Sequence, residues 1–341
     1  MSVHRLMIVT NSLTGGGAER SMNLVCNELT KRGWSVSLVP INQGAQDQVI
    51  PECTVFALDR EWKGSLTETL LSFLKFNKLV WKWNPDFIVL NCDLPELFGA
   101  FLLRKQKFVG VEHASIPWGN RPSIGIIIRK ILSHRNITWA AVSDHLTIWP
   151  EQKKPSAVLE NPIMPGHQIE VIGENSKLNR LVFVGRLSPE KQPSLAMEIS
   201  KGTALELVIM GDGNLRTSLE EKASNESLKI KFLGRVDDPW LEIRPGDLLI
   251  VTSKFEGDGL VVIEGLQRGI PMLLIDIPDL RRFSFPIKNY CVDLEVFIDK
   301  INTNREDISS FIIPPKIGNV ILSRRSLESV GNSWEKFLNS I

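Results

Sequence analysis

The 341-residue sequence contains no apolar run near the roughly 18 residues of a membrane-spanning helix. Its first residues have a short apolar part and no small-residue cleavage site, so they do not have the pattern of a signal peptide. The four cysteines are far apart and form no C-x-x-C pair, which argues against a metal or redox framework. These absences predict a soluble, cytoplasmic protein with reduced thiols that at most contacts a membrane surface.

A charge bias is also missing, because 40 Lys and Arg residues balance 39 Asp and Glu residues. Proteins that bind nucleic acid usually show a basic excess, so no nucleic-acid partner is expected. The sequence has no H-E-x-x-H, P-loop or Ser-His-Asp pattern. Asp237 and Asp238 are adjacent and lack the D-x-D spacing of a metal–diphosphate site. We therefore expect neither a metal nor another cofactor.

Short apolar runs alternate with helix-length amphipathic segments along the chain, which predicts parallel sheets covered by helices on both faces. The predicted strands of the first half are 6–10, 36–40, 54–58, 87–90, 108–111 and 139–143. Those of the second half are 181–185, 205–210, 230–233, 247–252 and 271–275. The clearest predicted helices are 18–31, 66–82 and a terminal helix over 322–341.

The alternating pattern weakens between residues 150 and 177, a stretch that contains four prolines. A chain of this length has room for about two domains of ~150 residues. The sequence therefore predicts an α/β protein with two doubly wound domains, over 1–165 and 170–321.

Two glutamates in the segment S-K-F-E-G-D-G-L-V-V-I-E suggest a binding site. Glu256 is expected in the loop after a predicted strand, and Glu264 about one turn into the next helix. Gly257 and Gly259 permit a close backbone approach, and the helix start near Leu260 could hold a phosphate. The carboxylates suit sugar or ribose hydroxyls. An ordinary helix start with solvated glutamates is an equally open reading.

Two cations follow the first predicted strand of the second half. Arg186 and Lys191 lie in F-V-G-R-L-S-P-E-K, and strand ends in one sheet converge at the topological switch. Two cations there suit a diphosphate, although surface Arg and Lys are common in such loops.

The first half offers a glycine turn and one histidine. Gly16 and Gly17, in G-G-G-A-E-R, could let a phosphate or sugar approach the backbone, but the turn is not the G-x-G-x-x-G of dinucleotide sites. It is otherwise a flexible turn. His113 follows the predicted strand 108–111 and is open to a structural role as well.

Taken together these segments resemble the retaining glycosyltransferases of family 4. The matching pieces occur in the family's order over residues 6–280 and are GGGAER, VEHAS, AVSDHL, ENPI, FVGRLSPEK, VIMGDG, FLGRV, EGDGLVVIE and GIPMLLIDIPDL. The resemblance implies the GT-B fold, in which two Rossmann-like domains face a central cleft. In that fold the terminal helix, here 322–341, packs back onto the first domain, where Trp334 and Phe337 would anchor it.

The resemblance also implies a role for each candidate residue. Its catalytic residues would be Glu256 on the donor sugar, His113 from the first domain, and Arg186 and Lys191 on the leaving diphosphate. Its donor-binding residues would include Glu264 on the ribose and the members of two glycine-containing segments: Gly16, Gly17, Gly257, Asp258, Gly259 and Leu260. Asp258 departs from the family, where an aromatic or apolar residue is common, so donor recognition is open at this position.

The activity that the resemblance implies is transfer of a sugar, with retention, from a UDP-sugar to a lipid-linked saccharide in surface polysaccharide synthesis of the O-antigen or capsule type. Three alternatives stay open: a nucleotide-sugar epimerase of similar architecture, a non-catalytic nucleotide-sugar-binding protein, and a dinucleotide oxidoreductase.

The segment 121–135 suggests a peripheral contact with the inner face of the cytoplasmic membrane. One helical face would carry its apolar residues, which are Ile124, Ile127, Ile128 and Ile131. Arg129 and Lys130 would lie elsewhere and attract anionic lipid. An ordinary sheet-covering helix with a solvated basic face is the alternative.

Overall fold

The structure is a computed structural model that describes residues 4–13, 16–44, 51–62, 64–114, 117–119, 121–166 and 177–341. Gly15 of the glycine turn and the predicted domain start at residue 170 lie outside these residues. The chain divides into two compact units. The first comprises Met1–Met164 with Arg324–Ile341, and the second comprises Pro165–Ser323.

The first unit is built on a parallel sheet. Its strands in the described residues are β1 Arg5–Thr10, β2 Ser35–Pro40, β3 Thr54–Val55, β4 Phe87–Asn91, β5 Lys107–Glu112, β6 Thr138–Ala141 and β7 Ala157–Val158. They lie in the order β3-β2-β1-β4-β5-β6-β7, and all pairs are parallel. The order reverses between β1 and β4, so the loops after these two strands border the switch point.

Helices cover both faces of this sheet. The first four are α1 Gly17–Lys31, α2 Leu66–Trp83, α3 Asp93–Phe101 and α4 Pro122–His134. One face packs against α1 through Met22 and Val25. The opposite face packs against α2, α3 and α4, which contribute Phe76, Phe98 and Ile128 to one apolar core.

The second unit repeats the plan with six strands in its described part. They are β8 Arg180–Val184, β9 Glu206–Met210, β10 Ile230–Gly234, β11 Asp247–Val251, β12 Met272–Ile275 and β13 Tyr290–Cys291. Their order is β10-β9-β8-β11-β12-β13, again all parallel, with the switch between β8 and β11. Its helices are α5 Pro193–Thr203, α6 Arg216–Asn225, α7 Leu260–Gln267, α8 Pro278–Arg281, α9 Leu294–Thr303 and α10 Pro315–Arg324. Two doubly wound α/β units, as predicted, are confirmed.

The single terminal helix predicted over 322–341 is wrong, because the chain forms two helices there. After α10, a new helix α11 runs over Leu327–Leu338 and begins at Ser326, whose hydroxyl accepts a hydrogen bond from the Ser329 amide at 3.1 Å. This N-cap satisfies a donor that a continuous helix would not leave free. Trp334 of α11 is fully buried in the first unit's core, beside α1.

Candidate functional site

A lysine and a glutamate from different loops meet at the switch point of the second sheet. Lys191 lies in the loop after β8 and Glu256 in the loop after β11, and Lys191 Nζ is 2.5 Å from Glu256 Oε1. The two loops are also joined through the backbone, because the Lys254 amide donates to the Glu190 carbonyl at 2.8 Å. The pair therefore sits where ligands of open α/β sheets bind, outside the carboxyl ends of the strands.

Glu256 is held in one orientation by three contacts. Besides the lysine, Ser253 Oγ donates to Glu256 Oε1 at 2.7 Å, and the Glu256 amide donates to Asp279 Oδ2 at 2.8 Å. The residue is 6% exposed, so a buried carboxylate is balanced here by a cation and a hydroxyl. A fixed carboxylate beside a partly exposed lysine can accept hydroxyl hydrogen bonds while the lysine faces an anion.

The start of α7 lies beside this pair. Gly259 precedes the helix with φ +65°, in the left-handed region, and Leu260 is its first residue. Amides at such an end point outward and favour an anion. The neighbouring Asp258 is buried, and its Oδ1 accepts a hydrogen bond from Arg282 Nη2 at 3.0 Å. A direct side-chain contact between Asp258 and a donor stays a prediction, as does the backbone role of Gly257.

Glu264 lies one turn into α7, as predicted, and the structure gives it a partner that sequence reasoning missed. Trp240 Nε1 donates to Glu264 Oε2 at 3.0 Å from a short 3-10 helix, Pro239–Glu242. The Arg268 guanidinium lies over the Trp240 ring, 5.2 Å from its centroid, and donates to the Glu264 carbonyl at 3.1 Å. The indole thus fixes the direction of the carboxylate. The sequence gives no signal for this contact beyond an aromatic residue in a loop.

Arg186 is exposed in the loop after β8, and its guanidinium makes no hydrogen bond or ion pair with any residue that the structure describes. Its loop packs tightly against the loop after β9. The Leu187 amide donates to the Asp212 carbonyl at 3.0 Å, and a Cβ added at Gly211 would lie only 1.9 Å from the Gly185 carbonyl oxygen. The two glycine-containing loops therefore fix the backbone that carries Arg186.

The predicted residues of the first unit lie at the carboxyl edge of their own sheet. Gly16 caps α1, and its amide donates to Glu19 Oε2 at 2.9 Å, so Gly17 begins the helix just after β1. His113 follows β5 directly and is half-buried. The structure places these residues at the ends of β1 and β5, and their roles toward a donor stay predictions.

The structure corrects the assignment of Arg129. Its side chain is 2% exposed and lies 2.6 Å from both Glu96 Oε1 and Glu112 Oε2. Its guanidinium also lies over the Trp139 ring, 4.4 Å from the centroid. The prediction that Arg129 forms part of an exposed basic patch is therefore wrong, because two buried carboxylates hold it in the interior. Ile128, predicted on the exposed apolar face, is buried too.

Two carboxylates share the single cation of this cluster. Burial raises the pKa of Glu96 to about 7, against the opposing effect of Arg129, and burial likewise raises the pKa of Glu112. A low-dielectric site with one guanidinium does not fully compensate two negative charges. The cluster therefore binds a proton more readily than two solvated glutamates would.

The described part of the chain offers neither a cluster of metal ligands nor a helix that could span a membrane. Among the described residues, no group of three or more His, Cys, Asp or Glu side chains could hold a metal ion. Within the same part of the chain, every helix falls short of the length and apolarity that crossing a membrane requires.

Residues 167–283, which include all the site residues of the second unit, match the protein family described as Glycosyl transferases group 1. An undecaprenol-diphosphate-linked saccharide alpha-1,4-N-acetyl-D-galactosaminyltransferase of Campylobacter jejuni is 24% identical over 276 residues, which cover 77% of this chain and 76% of the relative. The amylovoran biosynthesis glycosyltransferase AmsD of Erwinia amylovora is 22% identical over 301 residues, or 80% of this chain and 81% of the relative.

Solved structures agree on the fold. HepE of Anabaena, crystallised with UDP and glucose, superposes with a TM-score of 0.77 at 17% identity, covering 99% of this chain and 100% of HepE. WaaG, involved in lipopolysaccharide biosynthesis, superposes with a TM-score of 0.66 at 13% identity, covering 96% of this chain and 97% of WaaG. At these identities the likeness shows the GT-B fold alone.

Proposed function

We propose that the chain moves a sugar from a UDP-sugar to a lipid-linked saccharide with retention of configuration. It is a glycosyltransferase of GT-B fold with a group 1 glycosyl transferase domain. The product would belong to a bacterial surface polysaccharide. The observation that carries the proposal is the Lys191–Glu256 pair at the switch point, with Arg186 and Glu264 on the adjoining elements.

The donor is assigned to the second unit on the chemistry of its loops. Arg186 and Lys191 supply two cations for the diphosphate, and the amides at the start of α7 add partial positive charge. Glu264, directed by Trp240, accepts hydrogen bonds from the ribose hydroxyls. UDP as the nucleotide is supported by HepE, whose crystal structure contains UDP and glucose.

Catalysis in this proposal rests on the leaving group. When the bond between the sugar and the diphosphate breaks, negative charge grows on the diphosphate, and the preorganised cations stabilise that charge in the transition state. Glu256 is turned toward Lys191 and Ser253, and it orients a hydroxyl of the donor sugar rather than attacking its anomeric carbon. The acceptor hydroxyl then attacks from the face that the diphosphate leaves and gives its proton to the departing diphosphate oxygen, so the configuration is retained.

The acceptor is assigned to the first unit, and the enzyme to the cytoplasmic side of the membrane. The Campylobacter jejuni relative is named for a saccharide joined to undecaprenol through a diphosphate. The relative AmsD acts in amylovoran biosynthesis. The first supports an acceptor that is anchored in a membrane through its lipid, and the second supports a polysaccharide as the final product.

The test is incubation of the purified protein with UDP-sugars, with and without an undecaprenyl-diphosphate-linked saccharide. Release of UDP that requires the saccharide, together with a product heavier by one sugar with the donor's anomeric configuration by NMR, supports the proposal. Conversion of the UDP-sugar into its epimer without the saccharide would replace it with an epimerase. Binding without turnover would leave a non-catalytic protein. The Glu256→Gln variant, which lacks the carboxylate, measures the transfer activity that does not depend on Glu256.

A further inference from the structure

Helix α2 exposes an apolar stripe that the fold of the first unit does not use. Its members lie on one side of the helix and are 53% to 89% exposed; they are Leu66, Leu70, Leu71, Leu74 and Trp81. The spacing of three and four residues places most of them in a row along the helix. Single exposed leucines are common on soluble proteins, but five large apolar side chains on one helix form a patch.

The other side of α2 already supplies the packing that holds it on the sheet. Phe73 packs edge-to-face on Phe98 of α3 with ring centroids 5.7 Å apart, and Phe76 lies 5.8 Å from the same ring. Phe76 and Val80 are fully buried in the core of that face. The exposed stripe is therefore additional to the core-facing side, and its role lies outside the folding of the unit.

Basic side chains border the stripe, and acidic ones are missing from it. Lys75, Lys78 and Lys82 are exposed, and residues 69–85 contain no Asp or Glu. The acid nearest to the helix start, Glu68, accepts a hydrogen bond from the Ser65 amide at 2.7 Å and so serves the N-cap. We call the five apolar residues and these three lysines the α2 outer face.

The loop after α3 adds one more exposed apolar side chain and one more basic side chain beside α2. Leu103 is 78% exposed, and its amide donates to Asn77 of α2 at 3.0 Å. The Arg104 guanidinium lies 5.1 Å from the centroid of the Trp81 ring. A tryptophan beside an arginine is a typical combination for the boundary between water and lipid, because both have an apolar body and a polar tip.

We propose that the α2 outer face docks on an anionic lipid bilayer, with the helix lying in the plane of the interface. The leucines and Trp81 would enter the boundary between headgroups and acyl chains, and the lysines would pair with lipid phosphates, as in other interfacial amphipathic helices. This inference goes beyond the proposed function, since it concerns a surface and not the transfer reaction.

The positive charge of the α2 outer face favours an anionic bilayer over a second copy of the chain as the partner of this surface. A symmetric dimer through this face would bring the lysines of one α2 toward those of the other, with no acidic residue between 69 and 85 to compensate them. An anionic bilayer complements the lysines and the apolar stripe together. The contact also differs from the predicted one over 121–135, whose Arg129 is buried.

The experiment is flotation of the full chain with two kinds of vesicle, one of phosphatidylglycerol with phosphatidylcholine and one of phosphatidylcholine alone. We expect the wild type to float with the anionic vesicles and to be released by salt. The double variant Leu70→Ser/Leu74→Ser should lose about tenfold in partitioning on anionic vesicles. The triple variant Lys75→Glu/Lys78→Glu/Lys82→Glu should lose at least about tenfold on those vesicles and change little on neutral ones.

Matched controls come from exposed residues of the second unit. Leu241→Ser removes a leucine that is 82% exposed, and Lys229→Glu/Lys231→Glu reverses two exposed lysines. Both should float as the wild type does. A wild type that stays with the soluble fraction, stripe variants that float normally, or a wild-type dimer that Leu70→Ser/Leu74→Ser converts to monomers would each overturn the proposal. Flotation requires no donor or acceptor, so its outcome is separate from that of the transfer assay.

Discussion

Lys191 and Glu256 form an ion pair, at 2.5 Å, across the point where the strand order of the second sheet reverses. Lys191 is partly exposed and Glu256 is almost fully buried, so the lysine is the member of the pair that can meet an incoming anion. A diphosphate that binds here would share a cation with a carboxylate that is already fixed in place.

Replacement of Lys191 should weaken binding of the diphosphate but not of the nucleoside. We expect Lys191→Met to lower the affinity for UDP by about tenfold or more, because a hydrogen bond to a charged group contributes roughly 1.5–3 kcal/mol, and to leave uridine affinity unchanged. Calorimetric titration of UDP and uridine measures both. The control Lys229→Met changes an exposed lysine at the amino end of β10, the edge of the sheet away from the site. Equal losses for UDP and uridine would contradict the assignment.

Trp240 should act on the nucleotide through Glu264. Trp240→Phe keeps most of the buried ring but removes the indole donor to the Glu264 carboxylate, so we expect UDP affinity to fall about threefold to tenfold. The same substitution should matter little in a Glu264→Ala background, because the two residues act as one unit. Additive losses in the double variant, measured by UDP titration, would show that Trp240 acts independently.

The close packing of the two glycine-containing loops predicts a large difference between two glycine substitutions. Gly211 has φ +145° and its added Cβ would collide with the Gly185 carbonyl, so Gly211→Ala should destabilise the second unit by about 2–4 kcal/mol. Gly269 has φ +70° but open space around it, and Gly269→Ala should cost only about 1 kcal/mol. Denaturant unfolding compares them, and similar losses would mean that the loop contact is weak.

The buried cluster of the first unit predicts a pH dependence of stability. Burial raises the pKa of Glu96 to about 7 in the folded chain, whereas the unfolded chain releases the proton near the ordinary pKa of 4.5. Between these values the folded state binds more protons, so the free energy of unfolding falls as the pH rises, by up to about 1.4 kcal/mol per unit.

Glu96→Gln removes this titration and should flatten the fall between about pH 5 and pH 8 by roughly 2–3 kcal/mol. Urea unfolding of both proteins at each pH measures the difference. The remaining slope of the variant reports on Glu112 and the other groups. Parallel slopes for wild type and variant would show that Glu96 is ionised in the folded chain throughout this range.

The fold was predictable where strands are buried on both faces. β1, β4 and β11 read as uninterrupted apolar runs because helices cover the sheet above and below them. The sequence does not predict β7 and β13, because a two-residue strand has no recognisable hydrophobic period and forms only by pairing with the neighbouring strand. The start of α11 is not predicted for a similar reason, because its position depends on a single N-cap serine, Ser326.

From the sequence, the site could be predicted only where it depends on strand ends that converge at one edge of a sheet. The order of the sheet brings Lys191 and Glu256 together, and this follows from where their loops begin. The contact between Trp240 and Glu264 depends on a short 3-10 helix folding back, which no spacing encodes. Arg129 was misplaced because a helical wheel does not reveal carboxylates contributed by other elements, here Glu96 and Glu112.

The most direct test of the central claim is calorimetric titration of UDP, GDP and NAD into the wild type and Glu264→Ala. The second-unit site predicts binding of UDP with a dissociation constant in the micromolar range, and a loss of about tenfold or more in the variant, because the ribose loses a charged acceptor. Tighter binding of GDP would keep the site and change the base. Binding of NAD alone, or UDP binding that Glu264→Ala leaves unchanged, would contradict the account.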